Sequence, residues 1–352
     1  MTVDTRPARD VLTVLAAGPD SPAALGRLKG SRAVLLAFAR APGGPEGFFG
    51  RLAAAAAGRP DAVAKGIIEG QKGLRAALDA LEADGPDGGK VEAARLASLL
   101  PATPKVEARF VVVPVFGMAS FAEVTTIRDG DTTWLLADVP RLIGGPRSAL
   151  LDRELTLKVL RAAATEAWRV LFERSLRPRP GWAPRGGEGK ELEAFLDRTV
   201  SEGPSTLFLV PDEFYPLALL EEPIGRAFSR WNEAAEALLD PKVKPQQKET
   251  ILSGSISGDD FWGRYAAIVG AQAADSILRL AGREAWAAAL AEGPRAVLSL
   301  YVKLSSPKAS GLPQLGKRVR RALDAGPKGA PPPGPAAPAP SSVNGQAGAE
   351  AR

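Results

Sequence analysis

A chain of 352 residues, 45% hydrophobic and 24% charged, has the composition of a folded protein and is long enough to bury a large core. It contains no histidine and no cysteine, which excludes disulfides, thiol catalysis and any zinc site built from those two ligand types. With 45 basic and 40 acidic residues the net charge is only +5, too balanced for a dedicated nucleic-acid surface.

At the start of the chain, Asp4 and Asp10 interrupt what would have to be a basic leader region, and the apolar run Val11 to Ala17 ends at Gly18-Pro19-Asp20. No apolar stretch approaches membrane-spanning length, so the expectation is a soluble, cytoplasmic protein without a membrane partner. From Pro7 to about Leu100 the pattern is helical. Val11, Leu12, Val14 and Leu15 form one amphipathic set, Ala33 to Ala39 a second, and Val63, Ile67, Ile68, Leu74, Leu78 and Leu81 a longer third. Pro19, Pro22, Gly43-Gly44-Pro45, Gly58 and Gly85-Pro86 punctuate these segments, which predicts a lobe of short helices over 1–104. Gly66, Gly70 and Gly73 lack a phosphate-loop Lys-Ser/Thr pair and mark a weak or broken helix.

Between 105 and 150 the texture changes. Arg109 to Val113 with Val115-Phe116, then Glu123 to Ile127, then Thr132 to Leu136 are β-branched and aromatic runs separated by Pro114, Gly117 and Asp129-Gly130-Asp131. A small antiparallel sheet is predicted, with a hairpin at Asp129-Gly130 and a close at Pro140 and Gly144-Gly145-Pro146.

A long helix follows, capped by Asp152 and running to about Arg174. Its polar residues Glu154, Lys158, Arg161, Thr165, Arg169 and Glu173 fall three and four apart, on one stripe with Glu166 at its edge. The plain reading is a solvated face, with Glu154–Lys158 and Arg169–Glu173 as i,i+4 pairs. A second reading starts from Thr165-Glu166-Ala-Trp-Arg169, which has the frame of the zinc-peptidase motif H-E-x-x-H without its histidines. One helix later comes Val200-Ser-Glu202-Gly203-Pro204-Ser205, and further on Phe261-Trp262-Gly-Arg-Tyr265 and Gly270 to Ile277. In order and spacing, residues from about 105 to 303 resemble the gluzincins, thermolysin-like zinc peptidases, and uncharacterised bacterial proteins of that kind.

The resemblance implies a zincin-like scaffold in which Glu166 matches the general base and Glu202 the glutamate ligand, while Thr165 and Arg169 stand at the two histidine positions. Arginine offers donors only and threonine is a poor ligand, so neither metal nor cofactor is expected and no residue is assigned a catalytic role. What remains is a pseudopeptidase that binds an unknown peptide or protein. If the geometry survives, Arg169 should replace the zinc charge and bridge Glu202 and Glu166. Two alternatives stay open: a metal-free enzyme using the Glu166 and Glu202 carboxylates, and a helical interaction protein unrelated to zincins. A Ser-Lys nucleophile is the only serine chemistry available without histidine, and Ser253-Gly-Ser255 and Ser305-Ser306-Pro-Lys308 read as polar loops.

Lys317-Arg318-Val-Arg320-Arg321 closes a helical lobe over 151–325 with a basic cluster, a helix-end charge effect or an anion-binding patch. Residues 326–352, rich in Pro, Ala and Gly, cannot bury enough apolar surface to offset ordering and are expected to be a disordered tail. The fold class expected is α+β, mostly α, with a small antiparallel sheet between two helical lobes.

Overall fold

The computed structural model describes residues 1–18, 21–39, 43–101, 109–115, 123–142, 152–184, 189–210, 221–257, 261–306 and 311–325. Gly117, the Gly144-Gly145-Pro146 close, Gly258, Lys308 and the 326–352 tail lie outside this set. The chain is α+β and mostly helical, with one small sheet.

Strand β1 (Thr2–Val3) is followed by helices α1 (Arg6–Ala17), α2 (Pro22–Gly30), α3 (Arg32–Phe38), α4 (Gly44–Ala56), α5 (Ala62–Glu69) and α6 (Gln71–Leu99). The predicted segment from Val63 to Leu81 is divided at Gly70, which caps α5 and precedes α6. The Gly85-Pro86 break is not observed: α6 continues through Pro86. Proline removes one helix hydrogen bond, yet this stretch of α6 is held from outside. A Cβ on Gly85 would lie 3.2 Å from Val3 Cγ2 and one on Gly89 3.2 Å from the Met1 carbonyl oxygen, so the glycines form a track for the N-terminal strand. Arg9 on α1 binds Glu82 at 2.5 Å and Asp79 at 2.6 Å, tying α1 to α6.

Strands β2 (Arg109–Val115), β3 (Val124–Asp129) and β4 (Thr132–Asp138) complete a four-stranded sheet in the order β1-β2-β4-β3. The expected antiparallel sheet is corrected to a mixed one. β2 pairs in parallel with both β1 and β4, and only the β3–β4 hairpin is antiparallel. Phe110 to Val115 are all buried, and such an unbroken apolar run belongs to a strand covered on both faces, which is where parallel pairing occurs. β1 reaches only Val111 and Val112, so Pro114 lies beyond the segment that β1 pairs. The hairpin itself is as predicted, with Gly130 at φ 57° between Asp129 and Thr132.

After α7 (Val139–Leu142) comes the central helix α8 (Asp152–Ser175), starting at the expected residue; the Asp152 side chain lies outside the described set. A 3-10 turn (Pro180–Trp182) leads to α9 (Lys190–Thr206), α10 (Glu221–Leu239), α11 (Pro245–Gly254), α12 (Tyr265–Leu280), α13 (Gly282–Glu292), α14 (Pro294–Ser305) and α15 (Lys317–Asp324). One apolar core runs from Ala8 to Leu323 and takes in the sheet and both sets of helices. On α15, Val319 and Leu323 enter that core, leaving Lys317, Arg318 and Arg321 exposed.

α12 is covered on every side, with all residues from Tyr265 to Ile277 buried. It crosses α9 at a pair of glycines. A Cβ on Gly270 would stand 1.8 Å from the Thr199 carbonyl oxygen, and one on Gly203 2.3 Å from the Gly270 carbonyl carbon. Gly203, read in the sequence only as the residue after a ligand-like glutamate, is therefore a packing requirement.

α12 also carries a buried acid. Asp275 is 7% exposed and accepts a 3.0 Å hydrogen bond from Arg279 Nε. Burial raises its pKa by more than the charge and hydrogen bond of Arg279 lower it. A carboxyl whose folded pKa is raised contributes most stability below its unfolded pKa, and that contribution is lost as pH rises through the folded value. Asp275→Asn should therefore melt higher than the parent at neutral pH, with the difference shrinking as pH falls through the raised folded pKa toward about 4, the unfolded value. Melting curves across this range check it; a difference that grows on acidification would reverse the sign.

Candidate functional site

The polar stripe of α8 is solvated only at its ends. Glu154, Lys158 and Glu173 are exposed, whereas Thr165 is buried and Arg161, Glu166 and Arg169 are partly buried. Arg161 Nε lies 3.9 Å from a carboxylate oxygen of the buried Glu92, beside a cavity of about 540 Å³ between α6 and α8. The surface pair expected between Arg169 and Glu173 does not form; Glu173 pairs with Arg177 at 3.3 Å. Arg169 turns instead toward α9, because α9 packs along this side of α8.

Three side chains join the two helices at one level. Trp168 Nε1 donates to the Ser201 carbonyl at 2.8 Å, and the Thr165 hydroxyl, 5% exposed, faces the carbonyls of Arg161 at 3.0 Å and Ser205 at 3.3 Å. Between them, Arg169 donates through one terminal nitrogen to Glu166 and through the other to Glu202 at 3.0 Å. The sequence-predicted residues Thr165, Glu166, Arg169 and Glu202 are thus brought together, with Glu202 pointing at the α8 face. Burial alone would lower the pKa of Arg169, but the charges of Glu202 and Glu166 outweigh it and hold the guanidinium above its ordinary value. The side chains are 40% (Arg169), 22% (Glu166) and 21% (Glu202) exposed, so this is a half-buried ion triad rather than a surface pair.

Two neighbours were not legible as site residues. Thr126 on β3 contacts Glu166 Oε2 at 3.5 Å. Arg264, the residue preceding α12, is half-buried and close enough to interact with Arg169, Glu202 and Glu123. It sat inside a quoted stretch, but only helix packing, which no local pattern encodes, brings it within the electrostatic reach of this cluster.

Comparison with protein-family models, curated proteins and solved structures finds no match.

The chemistry of the cluster can then be judged only from its own atoms. A zinc ion does not fit these residues. The guanidinium, which has donors and no lone pair, occupies the space between the two carboxylates, and the Thr165 hydroxyl is spent on backbone carbonyls. Among the described residues no group of His, Cys, Asp or Glu is arranged to hold a metal ion. The serine alternative has no support in geometry. Ser253 Oγ donates to the carbonyls of Glu249 and Thr250 at 3.0 and 3.1 Å, and Ser255 Oγ to that of Leu252 at 2.8 Å. Among the described residues no helix is long and apolar enough to cross a membrane.

Proposed function

We propose that this chain is a catalytically inactive, metallopeptidase-like protein whose former metal position has become a structural ion triad, and that it binds a peptide or protein beside it. The observation carrying this reading is the bridge of Arg169 between Glu166 and Glu202, two glutamates that match the general base and the ligand of gluzincins in order and spacing. A positive charge is retained there, and its chemistry is changed. Without a metal nothing generates a hydroxide at neutral pH or polarises an amide carbonyl. A positioned carboxylate alone supplies roughly a hundredfold to ten-thousandfold, far below what amide hydrolysis requires. The metal-free enzyme reading is weakened by the same contact, since both carboxylates are engaged with Arg169. A binding role is favoured by the place of β3, the last strand in the sheet order, whose Thr126 adjoins the triad: an extended peptide lying along that strand would pass the cluster.

The expected result is that the protein incubated with excess zinc retains less than stoichiometric metal after desalting and cleaves no peptide from a random library, while peptides selected from that library slow amide exchange in Val124–Asp129. One tightly held zinc per chain with hydrolysis would overturn the inactive assignment. Protection confined to another surface would overturn the binding site.

A further inference from the structure

The cavity of about 540 Å³ between α6 and α8 is charged at both ends and apolar between them. Its volume falls in the range of small-molecule sites, about 300–1,000 Å³. At one end Glu92, 3% exposed, stands 3.9 Å from Arg95 Nη1 and 3.9 Å from Arg161 Nε, and all three side chains line the cavity. These contacts are open. A charge-assisted hydrogen bond runs at about 2.7–2.9 Å, and where this protein buries Arg295 against Glu193 the two stand at 2.5 Å. A guanidinium carries several N–H donors in a fork that matches a carboxylate. Arg95, which also donates to the Leu207 carbonyl at 3.0 Å, and Arg161 can therefore serve Glu92 and an incoming carboxylate together. At the other end lie Asp84 and Asp87, both exposed, with Asp87 paired to Lys90 at 2.8 Å. Leu160 stands between the ends, level with Gly88, where an added Cβ would come within 2.6 Å of its Cδ1, and Leu157 adds to the apolar wall.

Counted over the described residues, the cavity is neutral with ends of opposite sign. Two guanidiniums around one carboxylate leave a positive charge at the Glu92 end, and Asp84 leaves a negative one at the other. A simple anion would face Asp84 and a simple cation would face two arginines, whereas a dipolar chain meets its complement at each end. Asp84 and Glu92 are about 12 Å apart along α6 at a rise of roughly 1.5 Å per residue, and an extended peptide of three residues spans about 10 Å. We propose that this cavity binds a peptide of about three residues with free ends and small apolar side chains, its ammonium at Asp84 and its carboxylate at Arg95 and Arg161. The cavity shares no lining residue with β3 or with the Glu166–Arg169–Glu202 triad, so the proposal does not rest on the peptide-binding reading above.

The test is calorimetric titration of the full chain with trialanine, its N-acetyl form and its C-terminal amide. Trialanine should bind saturably, and each cap should weaken binding about tenfold. In Asp84→Asn the acetyl cap should no longer matter, and in Arg161→Gln the amide cap should no longer matter. Absence of saturable binding, caps without effect, or cap penalties in both variants equal to those of the parent each overturn the proposal. A further probe, 6-aminohexanoate, carries both charges on an aliphatic chain without backbone amides. Weaker binding than trialanine identifies a peptide; equal or tighter binding overturns the peptide assignment in favour of an ω-amino acid. Asp84 is exposed, so its variant should melt as the parent does. If Arg161→Gln does not fold, Gly88→Ala takes its place, because the added methyl displaces the Leu160 side chain that lines the cavity. Trialanine binding should then fall at least tenfold, and unchanged affinity overturns the site.

Discussion

Gly270→Ala is expected to destabilise the protein by roughly 3 kcal/mol or more, and Gly203→Ala by a comparable amount. The added methyl at 270 would stand 1.8 Å from the Thr199 carbonyl oxygen, and at 203 it would stand 2.3 Å from the Gly270 carbonyl carbon. Both obstacles are helix backbone, so relief requires α9 and α12 to move apart. That separation would open the layer in which Phe195, Val200 and Ile268 are buried. Gly225→Ala on α10 is the control. Nothing lies within 4 Å of its added Cβ, so helix propensity alone should act, raising stability by about 0.5–1 kcal/mol. Denaturant melts of the three variants separate the cases; a Gly270→Ala protein as stable as the parent would mean that the two helices do not cross at these glycines.

Arg169→Ala is expected to cost about 2 kcal/mol, because it leaves Glu166 and Glu202 facing each other without the cation between them. The figure is reduced for the 40% exposure of Arg169, since water screens part of the repulsion. Arg177→Ala would not serve as a surface comparison, because Arg177 also binds Asp197 at 2.6 Å and lies over Phe172. The exposed pair Arg226–Glu222 does serve, with an expected coupling below about 0.5 kcal/mol. A double-mutant cycle on Arg169 and Glu202 should give a coupling of about 1 kcal/mol or more. A value indistinguishable from zero would reduce the triad to adjacency and remove the observation on which the proposed function stands.

Much of the local structure was legible in the sequence. The apolar periodicity of α1 and α3, the length of α8 and the Gly130 turn of the β3–β4 hairpin depend on neighbours within a few residues, and the letters there carry the information. The Glu166–Arg169 contact is of this kind too, three residues apart on one helix. Its extension to Glu202 was inferred from a family-like order of elements, and the observed 3.0 Å contact agrees with that inference without establishing the family.

The tertiary structure alone decided the rest. β1 is two residues long and has no period to detect; it exists because Gly85 and Gly89 let the N-terminus lie against α6 and pair with β2. Pro86 was a break by its own chemistry, and α6 runs through it because packing outweighed the lost hydrogen bond. The middle of the α8 stripe reads as a wet face until α9 covers it, since burial is set by what packs against a helix and not by its own residues. Arg264 had no sequence signal at all: its surroundings are set by which charges the fold brings near it, and the fold brings Arg169 together with Glu202 and Glu123.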